Sequence, residues 1–184
     1  KTVITNINDG FDFLGWNFRK FKGKLLIQPS RKSKQKVTKS LSRTIKYYHE
    51  ANQELLIIKL NQITRGWAEY HHCACAKKTY ALIDHRLWEM LWKWAKRRHP
   101  RKGKKWIKNR YWHPKGNREW SFRTDKAILY QMMDMPIVRI RSLDLKKNPF
   151  LDGEYFEHRR KQHKKDKETA YLSSTAALSG YYAL

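Results

Sequence analysis

Leu56-Ile57-Ile58-Lys59-Leu60-Asn61-Gln62-Ile63-Thr64-Arg65-Gly66-Trp67-Ala68-Glu69-Tyr70 is the stretch that decides the fold. Leu56, Leu60, Ile63, Trp67 and Tyr70 recur at spacings of four, three, four and three, which is one stripe of an α-helix. Such a stripe must be buried against other helices, and two lie beside it in the chain. Upstream, Val37, Leu41, Ile45 and Tyr48 recur at i, i+4, i+8 and i+11, with Ser33 as the expected N-cap. Downstream, Tyr80, Ile83, Leu87, Leu91 and Trp94 form a third stripe, with Trp88 and Trp92 on its flank. Pro100 ends that helix near His99, because a residue before proline is pushed out of the helical region. Three amphipathic helices with short connections predict a small bundle.

Outward from the bundle the character changes. Phe11, Phe13, Leu14, Trp16 and Phe18 make one apolar run, Lys22-Gly23-Lys24 a turn, and Leu25 to Ile27 a return strand, a β-hairpin over 11–27. After Pro100 the chain is basic and aromatic, and Gly103 and Gly116 mark loops. Trp120-Ser121-Phe122 and Ile137-Val138-Arg139-Ile140 read as short strands, with one or two helical turns between Ala127 and Met133. Arg159 to Lys167 is a charge run with little to bury. The predicted class is mainly α: an N-terminal β-hairpin (1–30), a three-helix bundle (31–100), a small irregular α+β basic region (101–157) and a basic tail expected to be flexible (158–184).

Charge narrows the function. The 184 residues hold 41 Lys and Arg against 16 Asp and Glu, a net charge of +25, which repels itself unless a polyanion is bound. No acid falls between Glu89 and Glu119, while twelve cations do. Trp92, Trp94, Trp106, Tyr111 and Trp112 are threaded among them. Cations neutralise phosphates and flat aromatic faces stack on bases, so the ligand class is nucleic acid. The candidate contact residues are Arg31, Lys32, Lys34, Lys36, Lys39 and Arg43 on the first helix, and Lys77, Lys78, Lys93, Lys96, Arg97 and Arg98 on the third. Arg101, Lys102, Lys104, Lys105, Trp106, Lys108, Arg110, Tyr111 and Trp112 follow in the segment after it.

Other chemistries find little support. Two-metal catalysis needs converging carboxylates, and Asp9, Asp12, Asp84, Asp125, Asp134, Asp144 and Asp152 are scattered. His71-His72-Cys73-Ala74-Cys75 cannot aim all its ligands at one ion from a helix end, and no second Cys pair exists to complete a zinc site. We assign no catalytic or metal-binding residue. Two cysteines two residues apart fit a reducing compartment, and no apolar run is long enough to span a bilayer. The chain lacks an initiator Met and opens, from Lys1-Thr2-Val3, in what reads as strand. That points to an upstream part.

Particular strings go further than charge. Gly10-Phe11-Asp12-Phe13-Leu14-Gly15-Trp16 resembles the Phe-Leu-Gly-Phe stretch closing the reverse-transcriptase domain of group II intron-encoded proteins. Leu60-Asn61-Gln62-Ile63-Thr64-Arg65-Gly66-Trp67-Ala68-Glu69-Tyr70 resembles their maturase, or thumb, signature. Leu82-Ile83-Asp84-His85-Arg86-Leu87-Trp88 is similar to the next helix. Trp92-Lys93-Trp94-Ala95-Lys96-Arg97-Arg98-His99-Pro100 with Lys104-Lys105-Trp106 matches the bacterial version. Asn148-Pro149-Phe150-Leu151-Asp152 with Tyr155-Phe156 resembles the end of the family's DNA-binding region.

The resemblance implies an intron RNA partner, aided folding and splicing of that RNA, and a DNA target during retrohoming. It also implies a bacterial cytoplasmic or nucleoid-associated setting, with no membrane partner. The family polymerises with Tyr-Ala-Asp-Asp and a further palm Asp, which this sequence lacks. The parent protein would be an RNA-directed DNA polymerase, and this chain its last palm hairpin, thumb and DNA-binding region. No cofactor is expected here; Mg²⁺ would serve the palm and the intron RNA. By the same analogy the hairpin lies near the primer strand, with Gly15 permitting close backbone approach. The rival reading is a stand-alone basic nucleic-acid-binding module.

Overall fold

The computed structural model describes residues 4–138 and 141–179. Strands β1 (Phe11–Phe13), β2 (Trp16–Phe21) and β3 (Lys24–Pro29) form an antiparallel sheet in that order. The expected hairpin is thus a three-stranded meander. Its aromatic run breaks at Leu14-Gly15, where φ is 47° and 83°; Lys22-Gly23 repeats this at 45° and 79°. Both are two-residue turns with left-handed central residues, whose twist suits antiparallel strands. Gly15 serves that φ. A Cβ there would meet Ser33 Oγ at an ordinary 3.6 Å, so close packing is not its reason. Ile4 to Asn6 are not strand, and Lys1 to Val3 lie outside the described residues.

Helix α1 (Arg31–Tyr47) starts directly after β3. Ser30, not Ser33, is its N-cap: extended at φ −64° and ψ 158°, it accepts the Ser33 amide at 3.1 Å. The apolar stripe begins only at Val37, so periodicity left the first turn unmarked. Asn52 caps α2 (Gln53–His71), accepting the Leu55 amide at 2.8 Å. Helix α3 (Lys77–Arg98) ends before His99 and Pro100, as expected.

The stripes of α1 and α3 bury as read: Val37, Leu41 and Ile45, then Tyr80, Ile83, Leu87, Leu91 and Trp94. That of α2 is rotated. Its buried residues are Leu56, Ile57, Leu60, Thr64, Ala68 and His71, while Ile63 and Trp67 are half-buried and Tyr70 is 51% exposed. Small side chains explain the rotation. At Ala68 the backbone is bare enough for the buried Tyr80 hydroxyl to donate to its carbonyl at 2.7 Å.

Beyond Pro100 the structure is more regular than its composition. Helix α4 (Lys104–Tyr111) runs directly into a hairpin of β4 (Trp112–Lys115) and β5 (Arg118–Phe122). Gly103 precedes the helix and Gly116 turns the hairpin, so neither marks a long loop. The helical turns expected at 127–133 shrink to a 3₁₀ turn at Met132–Asp134. Ala127 to Gln131 are extended, because Asn61 on α2 donates to Ile128 O at 2.8 Å and accepts from Tyr130 N at 2.7 Å. Ile137 and Val138 form no strand; the Val138 amide donates to His72 O at 3.0 Å. Arg139 and Ile140 lie outside the described residues.

The charge run is helical. Helix α5 (Gly153–Ser179) carries it. Polar ties hold α5 in place of an apolar stripe: Arg141 to Asp166 at 2.8 Å, and Lys167 and Tyr171 to Glu69 at 2.5 and 2.6 Å. A single hydrophobic core joins Val37 on α1 to Met135, through Ile107, Tyr111, Trp112 and Phe122. Packing therefore continues across the compositional break at Pro100.

Candidate nucleic-acid interface

Helix period sorts the cations of α1. Arg31, Lys32, Lys36, Lys39 and Arg43 are exposed, the last four on the side opposite Val37, Leu41 and Ile45; Lys34 is half-buried. The helix holds no acid. On α3, Lys93, Lys96, Arg97 and Arg98 are exposed on its last turns. The C-terminal ends of α1 and α3 flank a recess of about 670 Å³, lined by Lys46, Arg97 and Arg98 together with Glu50, Trp94 and His99. Lys46 of α1 and Arg97 of α3, separate in sequence, therefore lie at one end of the bundle.

Some candidate cations have structural work. Arg98 donates to the carbonyls of His49 at 3.1 Å and Ala51 at 2.6 Å, and its guanidinium lies 4.8 Å from the Trp94 ring centre. It pins the α1–α2 connection. Lys77 donates to Met133 O at 2.7 Å, and desolvation lowers its pKa against the pull of Asp134. Lys78 is exposed beside it.

The segment after Pro100 divides. Arg101, Lys102, Lys104, Lys105 and Arg110 are exposed, and Lys108 is half-buried. Trp106 is 40% exposed, with Lys102 Nζ 5.4 Å from its ring centre. Tyr111 and Trp112, at 6% and 2% exposure, are not available to bases. Both belong to the core, where the Trp112 ring lies 5.2 Å from those of Trp92 and Phe122. The aromatic that does reach the surface there is Trp120, 41% exposed and 5.2 Å from Lys108 Nζ. Sequence reading passes over it because a strand three residues long gave no inside–outside signal. It also passes over Arg65 and Lys126, single charges outside any run.

The His-Cys cluster is structural. His71 is fully buried at the end of α2. Its Nε2 and the Trp67 indole N–H both meet Ser33 Oγ, each at 3.1 Å, which ties the start of α1 to α2. Burial pushes its pKa down to about 4. Cys73 is half-buried and Cys75 exposed. Among the described residues no group of three His, Cys, Asp or Glu could hold a metal ion, and no helix is long and apolar enough to cross a membrane.

No curated protein matches the chain. The family comparison does: residues 32–112, from the first turn of α1 through α4, match the group II intron maturase-specific domain. The three-helix core and the strings on α2 and α3 fall within that span. Residues 32–112 of this chain are thus similar to the group II intron maturase-specific domain.

Proposed function

We propose that the chain binds group II intron RNA along the exposed cationic faces of α1 and α3 and so assists folding and splicing of that RNA. One observation carries this reading: α1 presents an acid-free face of Lys32, Lys36, Lys39 and Arg43, and Lys93, Lys96 and Arg97 are exposed on the last turns of α3. Structured RNA is held mainly through backbone and shape, which calls for cations set on rigid elements. Each phosphate contact contributes about one to the slope of log affinity against log salt. Lys39→Ala/Arg43→Ala/Arg97→Ala should flatten that slope by about three in a filter-binding titration with intron RNA. Arg98 is left intact because it holds the α1–α2 connection. An unchanged slope would overturn the reading.

We further propose that a parent intron-encoded reverse transcriptase uses Arg101, Lys102, Lys105 and Trp106 on its DNA target during retrohoming, with Mg²⁺ serving the intron RNA and the palm. The support is an exposed indole flanked by cations, a pairing suited to strands with accessible bases. Removing everything after residue 100 would not test this, because Ile107, Trp112 and Phe122 would leave the core with it. Arg101→Ala/Lys102→Ala/Trp106→Ala does test it. Insertion into DNA should fall more than splicing; equal losses would assign this surface to RNA.

A further inference from the structure

Helix α2, the β4–β5 hairpin and the 126–131 segment enclose a recess of about 480 Å³. Its charge is lopsided. Arg65 comes from α2, Lys115 and Arg118 from the hairpin, and Lys126 from the segment beyond it. Asp134 takes Arg118 in a two-pronged pair at 2.8 and 2.5 Å, so that acid is matched to that cation. Among the described residues no carboxylate forms a salt bridge with Arg65, Lys115 or Lys126. Three positive charges thus line one concavity without a matching acid.

The frame is rigid. Asn61 pins Ile128 and Tyr130 to α2 by two hydrogen bonds, and the Arg65 guanidinium lies 4.9 Å from the Tyr130 ring centre. Stacking of this kind fixes the plane of the guanidinium, and a planar fork of donors matches phosphate oxygens. Clustered like charges in a concavity destabilise the fold unless an anion is bound, and concave walls focus their field. Ile58, 50% exposed, adds an apolar lip on which a sugar or base can rest.

We propose that this recess is a second phosphate-binding site, holding successive phosphates of a polynucleotide strand on Arg65, Lys115 and Lys126. It rests on the RNA-binding reading above and extends the contact surface from Lys115, at the end of the acid-free stretch, to Arg65 and Lys126 outside it. The cations come from three separate elements, a spread that fits a strand better than a single small anion.

The test uses the full chain and intron RNA. Lys115→Ala/Lys126→Ala should lower affinity about tenfold at moderate salt and reduce the salt slope by about two. Lys115→Arg/Lys126→Arg should keep the slope, which a purely structural role of these lysines would not require. Thermal unfolding of each variant checks that it folds; Arg65→Lys offers a second probe that loses the fork and keeps the charge. If the recess variant leaves the slope unchanged while the α1–α3 variant lowers it, this site is wrong and the RNA reading stands. If neither moves it, both fail. A recess for free anions would show inorganic phosphate raising the melting temperature of wild type but not of Lys115→Ala/Lys126→Ala, with the RNA slope intact. That result would also overturn the proposal.

Discussion

In the bundle, helix period separates cations from core; after Pro100, chain direction changes too often for any period to do so. Helix α1 runs 17 residues, long enough for Lys32, Lys36, Lys39 and Arg43 to gather opposite Val37, Leu41 and Ile45. Helix α4 is eight residues, β4 four and β5 five. Within that span Trp106 is a surface residue, Trp112 a core residue and Trp120 a surface residue again. Composition treats these indoles alike. Their environments differ because α4 passes directly into β4, and the junction turns Tyr111 and Trp112 inward together.

The contrast is broken or sharpened most strongly at the indoles. Trp112→Ala should cost about 3–5 kcal/mol in chemical denaturation, as large buried aromatics do. Trp106→Ala should cost under about 1 kcal/mol, as an exposed change does. A larger loss at Trp106 would mean that the inside and outside of this region are exchanged.

Legibility follows the same line. The α3 stripe was readable because five apolar residues keep one face over four turns. That of α2 was half-readable: its large residues pointed to Trp67 and Tyr70, but small Thr64 and Ala68 let neighbours approach and so define the inner face. Helix α5 was unreadable, since its charged ties to Glu69 and to Arg141 leave no apolar period in the sequence. Of the candidate interface, charge runs found the cations of α1, α3 and α4. No run marks Arg65 or Lys126, which join the surface only through tertiary packing.

A smaller effect is expected where the two regions are stitched together. Asn61 is half-buried and satisfies one carbonyl and one amide of the 128–130 segment. Asn61→Ala leaves both without a partner and should cost about 1–3 kcal/mol in urea unfolding. Amide exchange at Tyr130 should rise with it. Loss of stability without faster exchange there would mean that the segment is held by something other than Asn61.

The smallest effect lies in pH, and again sets one place against another. At the end of α2, burial pushes His71 from 6.5 down to about 4. On α3, burial pushes the Asp84 carboxyl from 3.8 up to about 6, against the lowering pull of the Met133 and Met132 amides it accepts at 2.9 and 3.1 Å. For His71 the unfolded chain takes up a proton first, so its contribution is full above pH 6.5 and lost as pH falls towards 4. For Asp84 the folded chain takes up the proton first, so its contribution is full below pH 3.8 and lost as pH rises through about 6. Between about pH 4 and 6 the two slopes oppose and partly cancel. Subtracting the wild-type urea curves from those of each variant removes the other carboxylates from the comparison. The Asp84→Asn difference should then rise with pH across this window, and the His71→Leu difference should fall. Equal slopes for both variants would show that neither group titrates apart from its unfolded value, and that the α2 end and the contact of Asp84 with the 3₁₀ turn are wetter than their packing indicates.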